Sequence, residues 1–149
     1  MLNQDFSEFI QSLNAHDVHY LVIGGYAVAF HGHPRYTKDL DIWLEASPTN
    51  AERVIRAVEQ FGFGSLGLTP EDFLAPDQVI QLGYPPSRID LVTAADGVEF
   101  SDSYLTRVTA KIGQTRVDFI DLEHLIKNKE ATGRPQDLAD LDALTGARE

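Results

Sequence analysis

The sequence predicts an α+β fold, a mixed β-sheet flanked by helices and followed by a short C-terminal helical segment. Three observations carry that expectation. Short apolar runs of strand length recur between segments of helical periodicity. Two pairs of strand-like runs are joined by turn-forming links, Gly83-Tyr84-Pro85-Pro86-Ser87 and Gly113-Gln114. Beyond about residue 121 the pattern is helical only.

Taken in order, Phe6, Phe9, Ile10 and Leu13 recur at helical spacing with polar residues between them, which predicts an amphipathic helix over 4–15. Residues 19–23 read as a short buried strand. Gly24-Gly25 breaks it, and Tyr26 to Phe30 reads as a short helix closed by Gly32. His33 to Thr37 is a loop, because Pro34 biases His33 away from helical angles. Residues 39–44 form the second strand. Ser47-Pro48-Thr49 then caps a helix over about 50–61 with Val54, Ile55, Val58 and Phe61 on its inner face. The stretch 62–77 is broken by glycine and proline and receives no element. Strands follow at 79–82 and 88–92, then a hairpin over 106–112 and 115–120, a helix from Leu122 to Ala131 ended by Gly133, and a last helix from Pro135 carrying Leu138, Leu141 and Leu144. At 149 residues the chain is expected to be one domain, 1–149, with 121–149 as its helical tail.

Composition narrows the function. Acidic residues outnumber basic ones 23 to 12, a formal net charge of −11, which argues against an extended DNA-binding surface built from Lys and Arg. A small nucleotide remains compatible, since a bound metal and a few local cations offset the acid. There is no cysteine, hence no disulfide framework, thiolate metal site or cysteine nucleophile. No apolar run approaches the roughly 20 residues of a membrane helix, and the first residues lack the basic and apolar blocks of a signal peptide. A cytoplasmic protein is expected.

The candidate site begins with Asp39 and Asp41 in Lys38-Asp39-Leu40-Asp41-Ile42-Trp43-Leu44. Strand alternation points both acids one way while Leu40, Ile42 and Leu44 enter a core. Neighbouring carboxylates repel unless a cation sits between them, and Mg²⁺ takes carboxylate oxygens while sharing itself with substrate phosphates. Asp90, between Ile89 and Leu91, repeats the pattern; Asp118, between Val117 and Phe119, is the rival third acid. Three such acids can hold two Mg²⁺ ions roughly 3.5–4 Å apart for in-line phosphoryl or nucleotidyl transfer, and Asp90 could also serve as the base. Gly24-Gly25, where a strand turns into a helix, would present backbone N–H groups to phosphate oxygens. Neither G-x-G-x-x-G nor G-x-x-x-x-G-K-[ST] is present. Arg35 and Lys38 lie where a cation could reach a triphosphate or simply balance the acids, and Thr37 could donate to a phosphate oxygen. Lys129 and Arg134 are phosphate or helix-end contacts. His31 and His33 form an isolated H-x-H, and Tyr26 and Trp43 offer rings for either stacking on a base or packing in the core.

A strand, Gly-Gly, about a dozen residues, Asp-x-Asp and a distant strand aspartate together resemble the nucleotidyltransferase fold of the polymerase-beta type. More narrowly, Ile23 to Val28 with Pro34 to Ile42 is similar to small prokaryotic nucleotidyltransferases related to abortive-infection and toxin–antitoxin proteins. Lys129, Arg134, Asp137 and Asp140 resemble that group's C-terminal signature. The resemblance implies transfer of NMP from an NTP to a hydroxyl of a protein, tRNA or small-molecule acceptor, with release of pyrophosphate. Gly24 and Gly25 would cradle the triphosphate, with Arg35, Thr37, Lys38 and Lys129 nearby; Asp39, Asp41 and Asp90 would be the metal-binding and catalytic acids. Many members carry serine where this chain has Gly25, so phosphate grip would be borrowed from Arg35, Thr37 or Lys38. A cognate toxin or antitoxin would be the partner.

Two other readings share these residues. In one the chain is a catalytically weak nucleotide-binding or protein-interaction module of a toxin–antitoxin-type system. In the other it is a Mg²⁺-dependent phosphohydrolase, which would lack an evident histidine to activate water.

Overall fold

The structure is a computed structural model that describes residues 2–34, 37–83 and 88–146. Its centre is a mixed sheet of six strands, β1 (Tyr20–Ile23), β2 (Leu40–Leu44), β3 (Val79–Leu82), β4 (Ile89–Val92), β5 (Val108–Ile112) and β6 (Thr115–Phe119), in the order β3-β4-β2-β1-β6-β5. β2 runs antiparallel to β1 and parallel to β4; β6 runs parallel to β1, and β3 and β5 are antiparallel edges. The expected α+β class with a mixed sheet is the one observed.

The helices follow from their caps and apolar faces. In α1 (Gln4–Ala15) the Asn3 side chain accepts from Phe6 N at 2.8 Å, satisfying one of the free N–H groups of the first turn. Its Phe6, Phe9, Ile10 and Leu13 are fully buried, each contributing roughly 1.5–3 kcal/mol by leaving water. α2 (Gly24–Phe30) starts at Gly24, two residues earlier than expected, directly from the end of β1. α3 (Pro48–Val58) is capped by Ser47, whose hydroxyl accepts from Asn50 N at 3.3 Å. Asn50 itself accepts from His19 N and donates to the carbonyls of His19 and Glu45, fixing the helix start to the ends of β1 and β2.

Three segments depart from expectation. The helix predicted to reach residue 61 ends at Val58 and passes into a wider turn over Glu59–Phe63, because Gly62 takes φ +112°. Short 3₁₀ turns at Gly64–Leu66 and Pro70–Phe73 order the stretch that received no element, and Phe73 anchors it with 1% of its surface exposed. A helix beyond the five expected, α4 (Phe100–Leu105), lies in a segment where none was expected. α5 (Leu122–Thr132), capped by Asp121 and stopped by Gly133 at φ +61°, and α6 (Pro135–Gly146) form the helical tail. The loop expected over 83–87 falls, beyond Gly83, outside the described residues. No described helix is long and apolar enough to cross a membrane.

Candidate functional site

The parallel pairing of β2 with β4 sets Asp41 directly beside Asp90, and the antiparallel pairing of β1 sets Ile23 on its other side. Asp39 sits one residue before β2 rather than inside it, yet its side chain joins the same patch. Asp39, Asp41 and Asp90 line one cavity of about 580 Å³ with Gly24, Arg88, Lys129 and Arg134. Asp118, the rival acid, lies on β6, separated from β2 by β1. It accepts from Thr109 Oγ1 at 2.6 Å and faces Arg107, on the far half of the sheet. Of the two candidate third acids, the strand order sets Asp90, not Asp118, beside Asp41.

Gly24 is required twice over. Its φ of +68° is left-handed, and a Cβ placed there would collide with the Asp41 carboxylate. The strand–helix turn thus closes directly over the acid, and no larger residue fits between them. A second cavity of about 500 Å³ joins Gly24 and Gly25 to Thr37, Lys38, Asp39, Asp41, Lys129 and Arg134. Lys38 is exposed and Thr37 Oγ1 donates weakly to the Asp39 carbonyl at 3.4 Å. Arg35 lies outside the described residues.

The charge balance of the patch is uneven. Burial first, then the neighbouring charges of Asp90 and Asp39, push the Asp41 carboxyl up to about 7, while Lys129 and Arg134 work to lower it. The nearest cation to the other two acids is Arg88, which the sequence reading passed over. Its Nη2 donates to Asp39 Oδ2 at 2.6 Å and to Asp90 Oδ2 at 3.3 Å. Its Nε lies 3.2 Å from Asp90 Oδ1 without hydrogen-bond alignment, so both of those buried atoms lack a hydrogen bond. The signal was present: Arg88 stands two residues before Asp90, one position before β4, where the alternation of an extended chain turns both side chains the same way.

Lys129 reaches the same cavity but turns its ammonium to Asp137 Oδ1 and Asp140 Oδ2, both at 3.0 Å, with 4% of its surface exposed. Arg134 Nε donates to Asp137 Oδ2 at 2.7 Å. Burial works to raise Asp137, yet hydrogen bonds from Arg134 and Lys129 outweigh it and hold that carboxyl far below its ordinary range. His31 is engaged with the Ile120 carbonyl at 2.8 Å, and Tyr26 packs edge-on to Phe6. Both are occupied in packing. Trp43 is 2% exposed, edge-on to Phe100.

The donor set fits a divalent cation in chemistry: hard carboxylate oxygens, surplus negative charge around Asp41 from Asp90 and Asp39, and Asp90 Oδ1 without a hydrogen bond. As placed, the side chains do not yet converge; among the described residues no three His, Asp or Glu groups are arranged to hold an ion, and Arg88 bridges two of the acids.

A glycine turn closing over a strand carboxylate, with a second carboxylate in register on the next parallel strand, sits here on a fold shared with solved nucleotidyltransferases. Residues 1–145 match the family described as "Nucleotidyltransferase of unknown function" (DUF6036), and the chain belongs to that family. No curated protein matches the sequence. Among solved structures, TM1012 of Thermotoga maritima, a candidate nucleotidyltransferase, is similar with a TM-score of 0.63 at 13% identity over 95% of this chain and 91% of that one. ANT(2″)-Ia, solved with adenylyl-2″-tobramycin, is similar at TM-score 0.60 and 13% identity, over 97% of this chain and 87% of that one. The lincosamide antibiotic adenylyltransferase LnuA, solved with lincomycin, is similar at TM-score 0.58 and 12% identity, over 97% of both chains. At these identities the likeness is one of fold.

Proposed function

We propose that the chain is a metal-dependent nucleotidyltransferase that moves NMP from an NTP to a hydroxyl group, and that 1–149 acts as one catalytic domain with its helical tail closing the site. The observation that carries this reading is the register of Asp41 beside Asp90, with Asp39 in the same cavity and Gly24 pressed against Asp41. Asp39, Asp41 and Asp90 would hold Mg²⁺, two ions by the chemistry of the family. An ion held by these three acids would supply positive charge to offset that of the triphosphate and the leaving pyrophosphate.

The chain's own groups do the rest. Gly24, Gly25, Thr37 and Lys38 line the cavity that receives the triphosphate. Asp90 Oδ1, buried and without a hydrogen bond, takes the proton of the acceptor hydroxyl. The hydroxyl oxygen bonds to the α-phosphorus as the α–β phosphoanhydride P–O bond breaks, and pyrophosphate leaves with that electron pair. One similar fold is solved with adenylyl-2″-tobramycin and another is named a lincosamide antibiotic adenylyltransferase, which favours a small-molecule acceptor over protein or tRNA; the net charge of −11 also disfavours RNA.

One observation favours a second reading. Arg88 already neutralises part of the patch, as expected of a nucleotide-binding or protein-interaction module with little transfer activity, such as one half of a toxin–antitoxin pair. Incubation with each α-labelled NTP, Mg²⁺ and cell extract separates the two. Transfer predicts a labelled acceptor with wild type and none with Asp41→Asn. Equal labelling by the variant defeats the catalytic assignment, and no labelling with any nucleotide supports the module.

A further inference from the structure

We propose that Arg134 is the side chain that grips the phosphates beyond the α-phosphate of the bound nucleotide, and that buried Asp137 aims it. The nature of the ligand rests on the nucleotidyl-transfer reading; the choice of residue rests on geometry. Lys129 and Arg134 both line the two cavities that meet at Gly24, Asp39 and Asp41. Their surroundings differ. The Lys129 ammonium is committed to Asp137 Oδ1 and Asp140 Oδ2, both at 3.0 Å, and 4% of the residue is exposed. The Arg134 side chain is 74% exposed. A phosphate can meet Arg134 without breaking a buried ion pair, whereas Lys129 would have to leave two buried carboxylates to reach it.

The guanidinium is held in place. Gly133, at φ +61°, stops α5, and Pro135 opens α6, so Arg134 stands at the corner between the two helices. Its Nε donates to Asp137 Oδ2 at 2.7 Å and its Nη2 to Asp137 Oδ1 at 3.3 Å. Nη1 is left without a hydrogen bond among the described residues, on a planar fork whose spacing matches phosphate oxygens. A charged donor fixed before its ligand arrives loses little freedom on binding.

Helix capping does not account for this arrangement. Asp137 accepts from the backbone N–H of Arg134 at 3.2 Å, a donor that any residue but proline supplies. Lys129 already gives Asp137 a buried positive partner. Across the cavity Arg134 forms no ion pair with Asp39, Asp41 or Asp90 among the described residues, although its charge is felt at Asp41. A cation that faces three acids and stays apart from them leaves room for a group that both can hold. Phosphate is such a group: it accepts from a guanidinium directly and joins carboxylates through a divalent cation. Gly24 and Gly25 line the same cavity as Arg134, so the outer phosphates lie between the glycine turn and the fork.

The test is calorimetric titration of the full chain with ATP, AMP and inorganic pyrophosphate, each with Mg²⁺ and without acceptor. Arg134→Gln should weaken ATP and pyrophosphate about tenfold or more, and AMP by less than about twofold. Arg134→Lys, which keeps the charge without the fork, should stay weaker than wild type for pyrophosphate. Arg56→Gln, which removes the same charge from an exposed position of α3, should match wild type. Unchanged pyrophosphate affinity in Arg134→Gln, or AMP weakened as much as ATP, overturns the proposal, as does a wild type that binds neither ATP nor pyrophosphate. Full affinity in Arg134→Lys overturns the aiming by Asp137. No acceptor enters these titrations, so pyrophosphate binding that depends on Arg134, found together with no transfer to any acceptor, overturns the transfer reading alone.

Discussion

Asp41 and Arg88 decide the electrostatics of the site residue by residue. In the folded chain Asp41 ionises near pH 7, against about 3.9 for an unstructured aspartate. Between those values the folded state keeps a proton that the unfolded chain has lost. This group therefore subtracts stability as pH rises from about 4 to 7, by on the order of 4 kcal/mol once both states are ionised. Asp41→Asn removes that term, so in EDTA the variant should gain on wild type in urea-unfolding free energy between pH 5 and pH 8. A constant difference between the two proteins across that range would refute the assignment. Saturating Mg²⁺ should flatten the wild-type trend, because a nearby dication favours the carboxylate. Arg88 contributes with the opposite sign. Arg88→Met leaves Asp39 and Asp90 without their bridging cation, so it should melt below wild type in EDTA yet show the larger upward shift in melting temperature on adding Mn²⁺. Equal Mn²⁺ shifts would mean that Arg88 and the metal do not compete for the same oxygens.

Among the elements, the tail is joined to the site by a buried ionic cluster. Lys129 on α5 meets Asp137 and Asp140 on α6, and all three are nearly inaccessible. Lys129→Met would take the buried ammonium from Asp137, which keeps Arg134, and from Asp140, which keeps Gln136, at about 3–5 kcal/mol, so urea unfolding should show a large loss of stability even where nucleotide affinity changes little. A variant as stable as wild type but unable to bind ATP would instead make the lysine a phosphate ligand. The sequence carried these three residues, with Arg134, as a signature but held no information on which atoms meet. The same division runs through the fold. α1 was legible because its cap and its apolar spacing are local. α4 was not: Glu99 makes no capping hydrogen bond, and the helix is held by Phe100 against Trp43 and by Tyr104 stacked on His19. Asp90 and Asp118 share one local pattern, and only the strand order puts one beside Asp41 and the other across β1.

For the whole molecule, the excess of acid sets how charged ligands arrive. A net charge of −11 on 149 residues surrounds the chain with negative potential, while the cations near the glycine turn, Lys38, Lys129 and Arg134, act only within their own cavity. An anionic nucleotide is therefore repelled at long range and held at short range. Salt screens the first effect more than the second, since exposed charges lose influence beyond a Debye length of roughly 30 Å at 0.01 M and 8 Å at 0.15 M. Stopped-flow association of a fluorescent ATP analogue should accelerate as ionic strength rises between those limits, the reverse of the usual behaviour of a nucleotide meeting a basic site. If nucleotide association slows with salt instead, the local cations dominate the approach, and the acidic surface has no part in selecting what enters the site.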